Sequence, residues 1–492
     1  MSLLFSAETG WRNLRTNGAK LRWGMLMLFV AGYAVTRPRF ENVAGEYLVY
    51  HLLAIGACAV LFTQLKAFEQ RYAAVWLGLI IIALVYFLRF YWIAIDPSPL
   101  ELMLYTPAYK AVMQDDALFQ AFKLSVMTLA VFSFSAAAML FLLRQQGDPG
   151  GRAGVHRDAA PHWVMAKLTL LMLPPIMLAL AYLAHRYHIG ELGAAAGEPL
   201  PLRLKGVVFY ARFILVPMMI LFLIYLAERC GHAVVARLGI LLLVAHGVSD
   251  MLIRNSRGSL LVSMLLLVFL VMAGGLRLHR NEKALVGVTI MLAFIIIPIM
   301  TEYRYHRTLR HLPAMDALYT AVVVTMSGGG WGLFKTGLMF ALFRLPGVEV
   351  VAAILGLGAQ PLGAQSIEVL GSGQGLAGYL THDIYQMHTE WHTLAAPGFV
   401  GWLYLVAGAP AVALGAAAAA IFAVLGWKFL GRTYLECGPV AQAFLLWILF
   451  VALTEGTLDT MGYMVLAGIA SIVVFEFGLR LARRSVAQRA LG

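Results

Sequence analysis

Apolar stretches close to the length of a bilayer crossing recur along the whole chain, and they decide what it can fold into. The runs at 76–88 and 260–272 contain no charged residue. In hydrocarbon every backbone N–H and C=O needs an internal partner, so only helices or a closed barrel can span. A barrel would read as alternating segments of about ten residues. The runs here are continuous, which selects helices. Charge agrees, since Asp, Glu, Lys and Arg make up 13% of the 492 residues, about half of what a water-soluble surface carries.

At about 20 apolar residues per crossing, the pattern predicts an all-α, polytopic bundle of about 12 transmembrane helices. They centre on 22–36, 47–65, 72–94, 119–143, 163–185, 206–227, 233–253, 259–275, 284–302, 398–427, 440–456 and 459–479. Residues 1–19 are polar and basic, which does not fit a removable signal peptide. Cys58, Cys230 and Cys437 lie in or beside apolar segments with no metal-ligand spacing.

Basic residues orient the chain. A cytoplasmic N-terminus puts Arg12, Arg15, Lys20, Arg22, the 144–157 loop, Arg277, Arg280, Lys283 and the 480–489 tail on the side where Lys and Arg accumulate. An even number of crossings returns the C-terminus to that side. The whole of 1–492 then forms one integral membrane domain, with a single long external segment, 303–397, between the ninth and tenth crossings. A structureless loop of that length would be uncommon, so short helices at the membrane interface are expected there. Apolar pieces within 318–360 come close to reading as a further crossing.

The net charge of +12 would suggest nucleic acid in a soluble protein; here part of it is the basic bias of cytoplasmic loops, and no nucleic-acid partner is expected. About 16 of the Lys and Arg residues fall on the external side, where that bias does not call for them. They include Arg37, Arg39, Arg203, Lys205, Arg212, Arg254, Arg257, Arg304, Arg307 and Arg310. Guanidinium pairs bidentately with phosphate, so such a concentration suits an anion at headgroup depth. Snorkelling, or pairing with Glu302, Asp250 or Glu191, is the alternative.

Three constellations sharpen the reading. His246, Asp250 and Arg254 recur every fourth residue along one helix face, where they can pair. Asp250 makes Arg254 the structural member and leaves Arg257, at the turn into the next crossing, as the better phosphate ligand; a plain buried ion pair between helices is the other reading. Next comes Glu302-Tyr-Arg304-Tyr-His-Arg307-Thr-Leu-Arg310-His at the external end of the ninth crossing. A continuing helix would stack Arg304, Arg307 and Arg310 as a positive field, or as an anchor to lipid headgroups. Last, His382, Asp383, His388, Glu390 and His392 gather before the tenth crossing. His388 and His392 have two-ligand helical spacing, but no HExxH is present. A general base for a sugar hydroxyl, a zinc site and an interfacial structural role all remain open there. There is no Walker loop, no GxSxG or GxGxxG in a strand–helix context, and no paired carboxylate in 37–46.

The Asn-Ser-Arg257-Gly-Ser-Leu-Leu turn feeding a very apolar helix, and the long external segment closing on Ala396-Pro-Gly-Phe-Val-Gly-Trp-Leu-Tyr-Leu, resemble the O-antigen and exopolysaccharide repeat-unit polymerases of bacterial inner membranes. The chain is similar as well to the O-antigen ligases that share their architecture. The resemblance covers mainly 240–425. It implies a GT-C-like glycosyltransferase that joins a glycan on undecaprenyl diphosphate to a sugar hydroxyl on the periplasmic face, using arginines and a His or acidic residue rather than a metal. Carried onto this chain, Arg254, Arg257, Arg304, Arg307, Arg310 and Asp250 form the substrate-binding set. Arg257 with Arg304 or Arg307 holds the donor diphosphate, and His382, His388, His392 and Glu390 are the catalytic candidates. No cofactor is expected. The implied partners are lipid-linked oligosaccharide donor and acceptor, with a chain-length regulator and a flippase of the same pathway. The alternatives are a ligase acting on a lipid or protein acceptor, and a lipid-linked oligosaccharide flippase or other transporter. A transporter should show repeat symmetry, whereas only the second half of this chain has a long external segment.

Overall fold

The structure is a computed structural model. It describes the chain except for residues 1–7, 68–71, 102–105, 146–158, 191–203, 255–258, 309, 311, 328, 330–331, 333, 335, 340–344, 373–374, 388–395, 432–435, 457 and 492. The described residues are helical with no strand, and ten segments are long and apolar enough to cross a membrane. The architecture is that of a polytopic helical membrane protein.

The first of these segments, Ala19–Lys66, holds two of the expected crossings. Helix α1 (Glu8–Thr36) and helix α2 (Ala44–Ala67) are joined by a 3-10 turn at Arg37–Val43. Pro38, whose fixed φ suits a first helical turn, opens the corner, and buried Phe40 closes it against Tyr47, Phe90 and Phe119. Arg39 then ties the corner to its neighbours, donating to Asp115 Oδ1 at 2.8 Å and to the carbonyls of Ile93 and Ala94 at 3.1 and 3.2 Å. Those carbonyls end helix α3 (Ala73–Ile95), and Asp115 opens helix α4 (Asp115–Gln145). A Cβ on Gly32 of α1 would stand 2.3 Å from the Tyr91 ring of α3. Only glycine allows α1 to approach this closely.

Helix α5 (Ala159–Arg186) follows, then α6 (Leu204–Arg229), α7 (Ala233–Arg254) and α8 (Ser259–Met272). The expected crossing at 259–275 is therefore a helix of 14 residues, about 21 Å long against a hydrocarbon core of about 30 Å. Helix α9 (Arg280–Thr308) completes this half. Helices α12 (Gly398–Gly431), α13 (Gly438–Glu455) and α14 (Leu458–Leu491) close the bundle. α13 packs on both α3 and α8, and so joins the early helices to the later ones. The central positions follow from composition: α3 and α13, apolar on every face, have 83% and 78% of their crossing windows buried, whereas α5 has 17% and faces outward.

The segment between α9 and α12 holds helices α10 (Ala314–Met326) and α11 (Val348–Gly356) and shorter turns at Ser366–Gly371 and Gly375–Tyr379. α10 doubles back along α9, and beyond it Phe334 packs at 6.0 Å on Phe294, midway along α9. Pro298 explains the fit. It has no N–H, so the Phe294 carbonyl four residues earlier loses its helical donor. Gly337 occupies the opening, and a Cβ there would lie 1.7 Å from that oxygen. A second break occurs in α12, where Gly408 takes φ +71 ahead of Pro410. The Leu405 carbonyl freed there accepts from Leu362 N–H at 2.8 Å.

Candidate functional site

A buried charged group joins α6, α7 and α8. Helix α6 contains a π turn at Ala211–Leu215, followed by Pro217. A π turn inserts one residue into the helical ladder, and here the inserted turn carries Arg212 inward until it is almost fully buried. Arg212 Nε lies 3.0 Å from Asp250 Oδ1, an ionic contact without hydrogen-bond alignment, and Nη2 donates to Ser249 Oγ at 3.3 Å. On the same carboxylate, Oδ2 accepts from Arg254 Nη1 at 3.0 Å and from Ser259 Oγ at 2.8 Å. Gly247 lets this happen, because a Cβ there would meet Ser263 Oγ at 2.8 Å and hold α8 away from α7. His246 is buried one turn before Asp250.

The guanidinium of Arg254 also lies between two rings, 4.9 Å from Phe209 and 5.0 Å from Phe213. Gly190, at φ +71, backs this arrangement, since a Cβ would come within 2.9 Å of Phe209 and 3.3 Å of Arg254 Nε. Two arginines thus share one carboxylate. Arg212 Nη1 and Arg254 Nε are buried and have no hydrogen-bond partner among the described residues. The group carries one positive charge more than its acid can neutralise, with unused donors. This is a composition that attracts an oxyanion.

Asp250 and Arg254 pair as their spacing predicts. Arg257 lies outside the described residues. Arg212 was legible as one of the external arginines, yet sequence spacing gave no reason to bring it to Asp250. The π turn does that.

Arg304 and Arg307 lie one turn apart on α9, as a continuing helix requires, but Arg310 does not follow them along it. α9 stops at Thr308, so Arg310 lies beyond it rather than one turn further along it. Leu312 N–H donates to the His306 carbonyl at 3.2 Å, and Arg307 Nη1 donates to the Leu312 carbonyl at 3.1 Å. Arg307 therefore fastens the turn that follows α9, while the Leu312 N–H satisfies a carbonyl of the helix end. Arg310 lies 5.4 Å from the Tyr305 ring, and Arg304 is half-buried on the last turns of α9. His306 is buried beside Glu302 at 3.8 Å.

His382 is half-buried in a π turn at Leu380–Ile384, its Nδ1 3.1 Å from the Met387 carbonyl, and Asp383 is exposed. His388, Glu390 and His392 lie outside the described residues. Among the described residues no three His, Cys, Asp or Glu side chains converge as a metal site would require.

A further charged contact was not anticipated. Arg89, on α3 just after a π turn at Ala83–Leu88, donates from Nη1 to Glu349 Oε1 at 2.8 Å and to the Leu345 carbonyl. Oε1 also accepts from Gly347 N–H at 3.0 Å. Beside it the Tyr86 hydroxyl accepts from Val400 N–H at 3.2 Å. Burial pushes the Glu349 carboxyl above the usual carboxylate range, with Arg89 and the Gly347 N–H opposing. The sequence signal was a lone Arg in an apolar crossing and a lone Glu in Val348-Glu-Val-Val-Ala-Ala, since intramembrane charge normally has a partner.

No family model, no curated protein and no solved structure matches the chain.

Proposed function

We propose that the protein is a GT-C-like glycosyltransferase of the bacterial inner membrane, crossing it about twelve times with both termini in the cytoplasm. It polymerises oligosaccharide repeat units carried on undecaprenyl diphosphate, at the periplasmic face. The observation that carries this reading is the pair Arg212 and Arg254 on one Asp250, with a buried nitrogen on each arginine that has no hydrogen-bond partner among the described residues. In glycosyl transfer from a diphosphate, negative charge accumulates on the leaving group, and donors fixed in a dry site stabilise it most. Arg257, three residues after Arg254 in sequence, and Arg304 complete the set. A His of the 382–392 segment, or Glu390, removes the acceptor proton. The donor is already activated, so no nucleotide site is needed.

The test is to give the purified protein a lipid-linked repeat unit and resolve the products by length. A ladder with release of undecaprenyl diphosphate is the expected result. Transfer of the glycan once to a foreign lipid or protein acceptor would make the protein a ligase instead. Movement of the intact substrate across vesicles without product would make it a transporter.

A further inference from the structure

Away from the arginine group, α2 and α4 leave a groove of about 460 Å³ on the outer face of the bundle. Its wall on α4 is built from Lys123, Met127, Val131 and Phe134, spaced so that they follow one helix face. Tyr50 and Leu53 of α2 form the other wall. From Lys123 to Phe134 the helix rises roughly 16 Å, about half of a ~30 Å hydrocarbon core. The groove is therefore one leaflet deep, apolar along its length and charged at one end.

The charged end holds two groups of opposite sign. Lys123 Nζ is 2.6 Å from Glu46 Oε1, and both side chains keep an open side, with 20% and 46% of their surfaces exposed. The ammonium also lies over the Phe119 ring at 4.6 Å. Neither helix that forms the groove belongs to the α6–α7–α8 group that holds Asp250.

We propose that this groove binds a phospholipid whose headgroup carries a primary ammonium, one acyl chain lying along α4 between the two walls. Lys123 receives the phosphate and Glu46 the ammonium. The charge pattern selects this occupant. A headgroup with negative charge alone would set its charge against Glu46. A trimethylammonium headgroup has no N–H to donate to the carboxylate. A headgroup with both a phosphate and an ammonium meets a partner for each.

The experiment uses the full-length protein in nanodiscs made with phosphatidylethanolamine, phosphatidylcholine or phosphatidylglycerol in a common lipid background, read by retained lipid in native mass spectrometry. The primary-amine lipid is expected to be retained in preference to the other two by about two- to fivefold, the scale of an exposed charge pair. Glu46→Gln should remove that preference and raise retention of the anionic lipid. Met127→Trp, which fills the groove below an intact ion pair, should lower retention of all three. Equal retention of the three lipids by the unmodified protein overturns the proposal. So does a Glu46→Gln variant with unchanged lipid preference, or a folded Met127→Trp variant that keeps its lipid.

Discussion

Arg89 and Glu349 are 260 residues apart in sequence, yet their side chains meet at 2.8 Å with 6% and 3% of their surfaces exposed. This contact fastens the segment after α9 to the centre of the bundle. Removing one partner from such a buried pair leaves an uncompensated charge and typically costs about 3–5 kcal/mol. Arg89→Met is expected to destabilise the protein by about that much, measured by thermal unfolding in detergent or nanodiscs. The double variant Arg89→Met/Glu349→Leu should recover most of the loss, because an apolar pair leaves nothing buried and charged. A double variant as unstable as Arg89→Met would show that the two residues do not act as a pair.

The same carboxyl predicts a pH dependence. Burial raises the pKa of Glu349 in the folded protein above its unfolded value. The folded state thus holds the proton more tightly. Its contribution to stability is full below the ordinary carboxylate value of about 4.3 and is lost as pH rises through the raised folded value. Arg89 opposes the shift, so Arg89→Met should enlarge it. The gap in unfolding midpoint between the unmodified protein and Arg89→Met is expected to widen as pH rises above the ordinary carboxylate value of about 4.3. Glu349→Gln in the Arg89→Met background should flatten that trend.

For the shared carboxylate, the substitutions that separate charge from geometry are the informative ones. Arg254→Ala and Arg212→Ala each remove a donor from the proposed diphosphate site, and about 10²–10³ in polymerisation rate is the usual cost of such a loss. Lys at either position should rescue poorly, because one ammonium lacks the guanidinium fork. Arg257→Ala and Arg304→Ala are expected to abolish chain extension in the same way, with the protein still folded in the membrane. Normal polymer length in all four alanine variants, measured by gel ladder, would remove the proposed site.

Much of the architecture was legible because lipid imposes simple rules. Long apolar runs must be helices, and the i, i+4 spacing from Asp250 to Arg254 must place both on one face. What escaped depends on departures from regular helix. A regular 3.6-residue period through 204–229 does not bring Arg212 to Asp250; an inserted π residue does. Arg89 and Glu349 each read as an isolated charge in an apolar run, and no local pattern pairs residues so far apart. α9 was expected to carry Arg310, but the chain turns at Thr308 and uses Arg307 to fasten that turn. The expected crossing at 259–275 proved short because hydropathy measures composition, whereas the turn at Ala273–Gly274–Gly275 sets where the helix ends.

Gly337 and Pro298 offer a test of how the segment after α9 is held against it. Any side chain at 337 would collide with the Phe294 carbonyl, and overpacking of this kind typically costs about 1–3 kcal/mol. Gly337→Val should therefore lower the unfolding midpoint and expose the 309–345 segment to protease. Pro298→Ala restores an N–H that can reach the Phe294 carbonyl within the helix. It should close the helical ladder of α9 at that carbonyl and weaken the same contact without adding bulk. Protease patterns unchanged in both variants would show that the segment is held by other contacts.

His382 is the described member of the candidate catalytic set, and its setting separates two roles. Nδ1 lies against the Met387 carbonyl, an acceptor that fixes a proton on Nδ1 and leaves Nε2 free to accept one. A general base needs that tautomer, and losing the base typically costs about 10²–10⁴ in rate. His382→Gln should keep a donor toward the carbonyl but remove the proton acceptor. It is expected to lower kcat by that range while donor KM changes little, since the diphosphate site proposed above is built from the arginines and not from His382. Asp383→Asn, at an exposed neighbour, should leave both constants nearly unchanged. If His382→Gln instead raises KM with kcat preserved, His382 shapes the acceptor site and the proton leaves through the 388–392 segment.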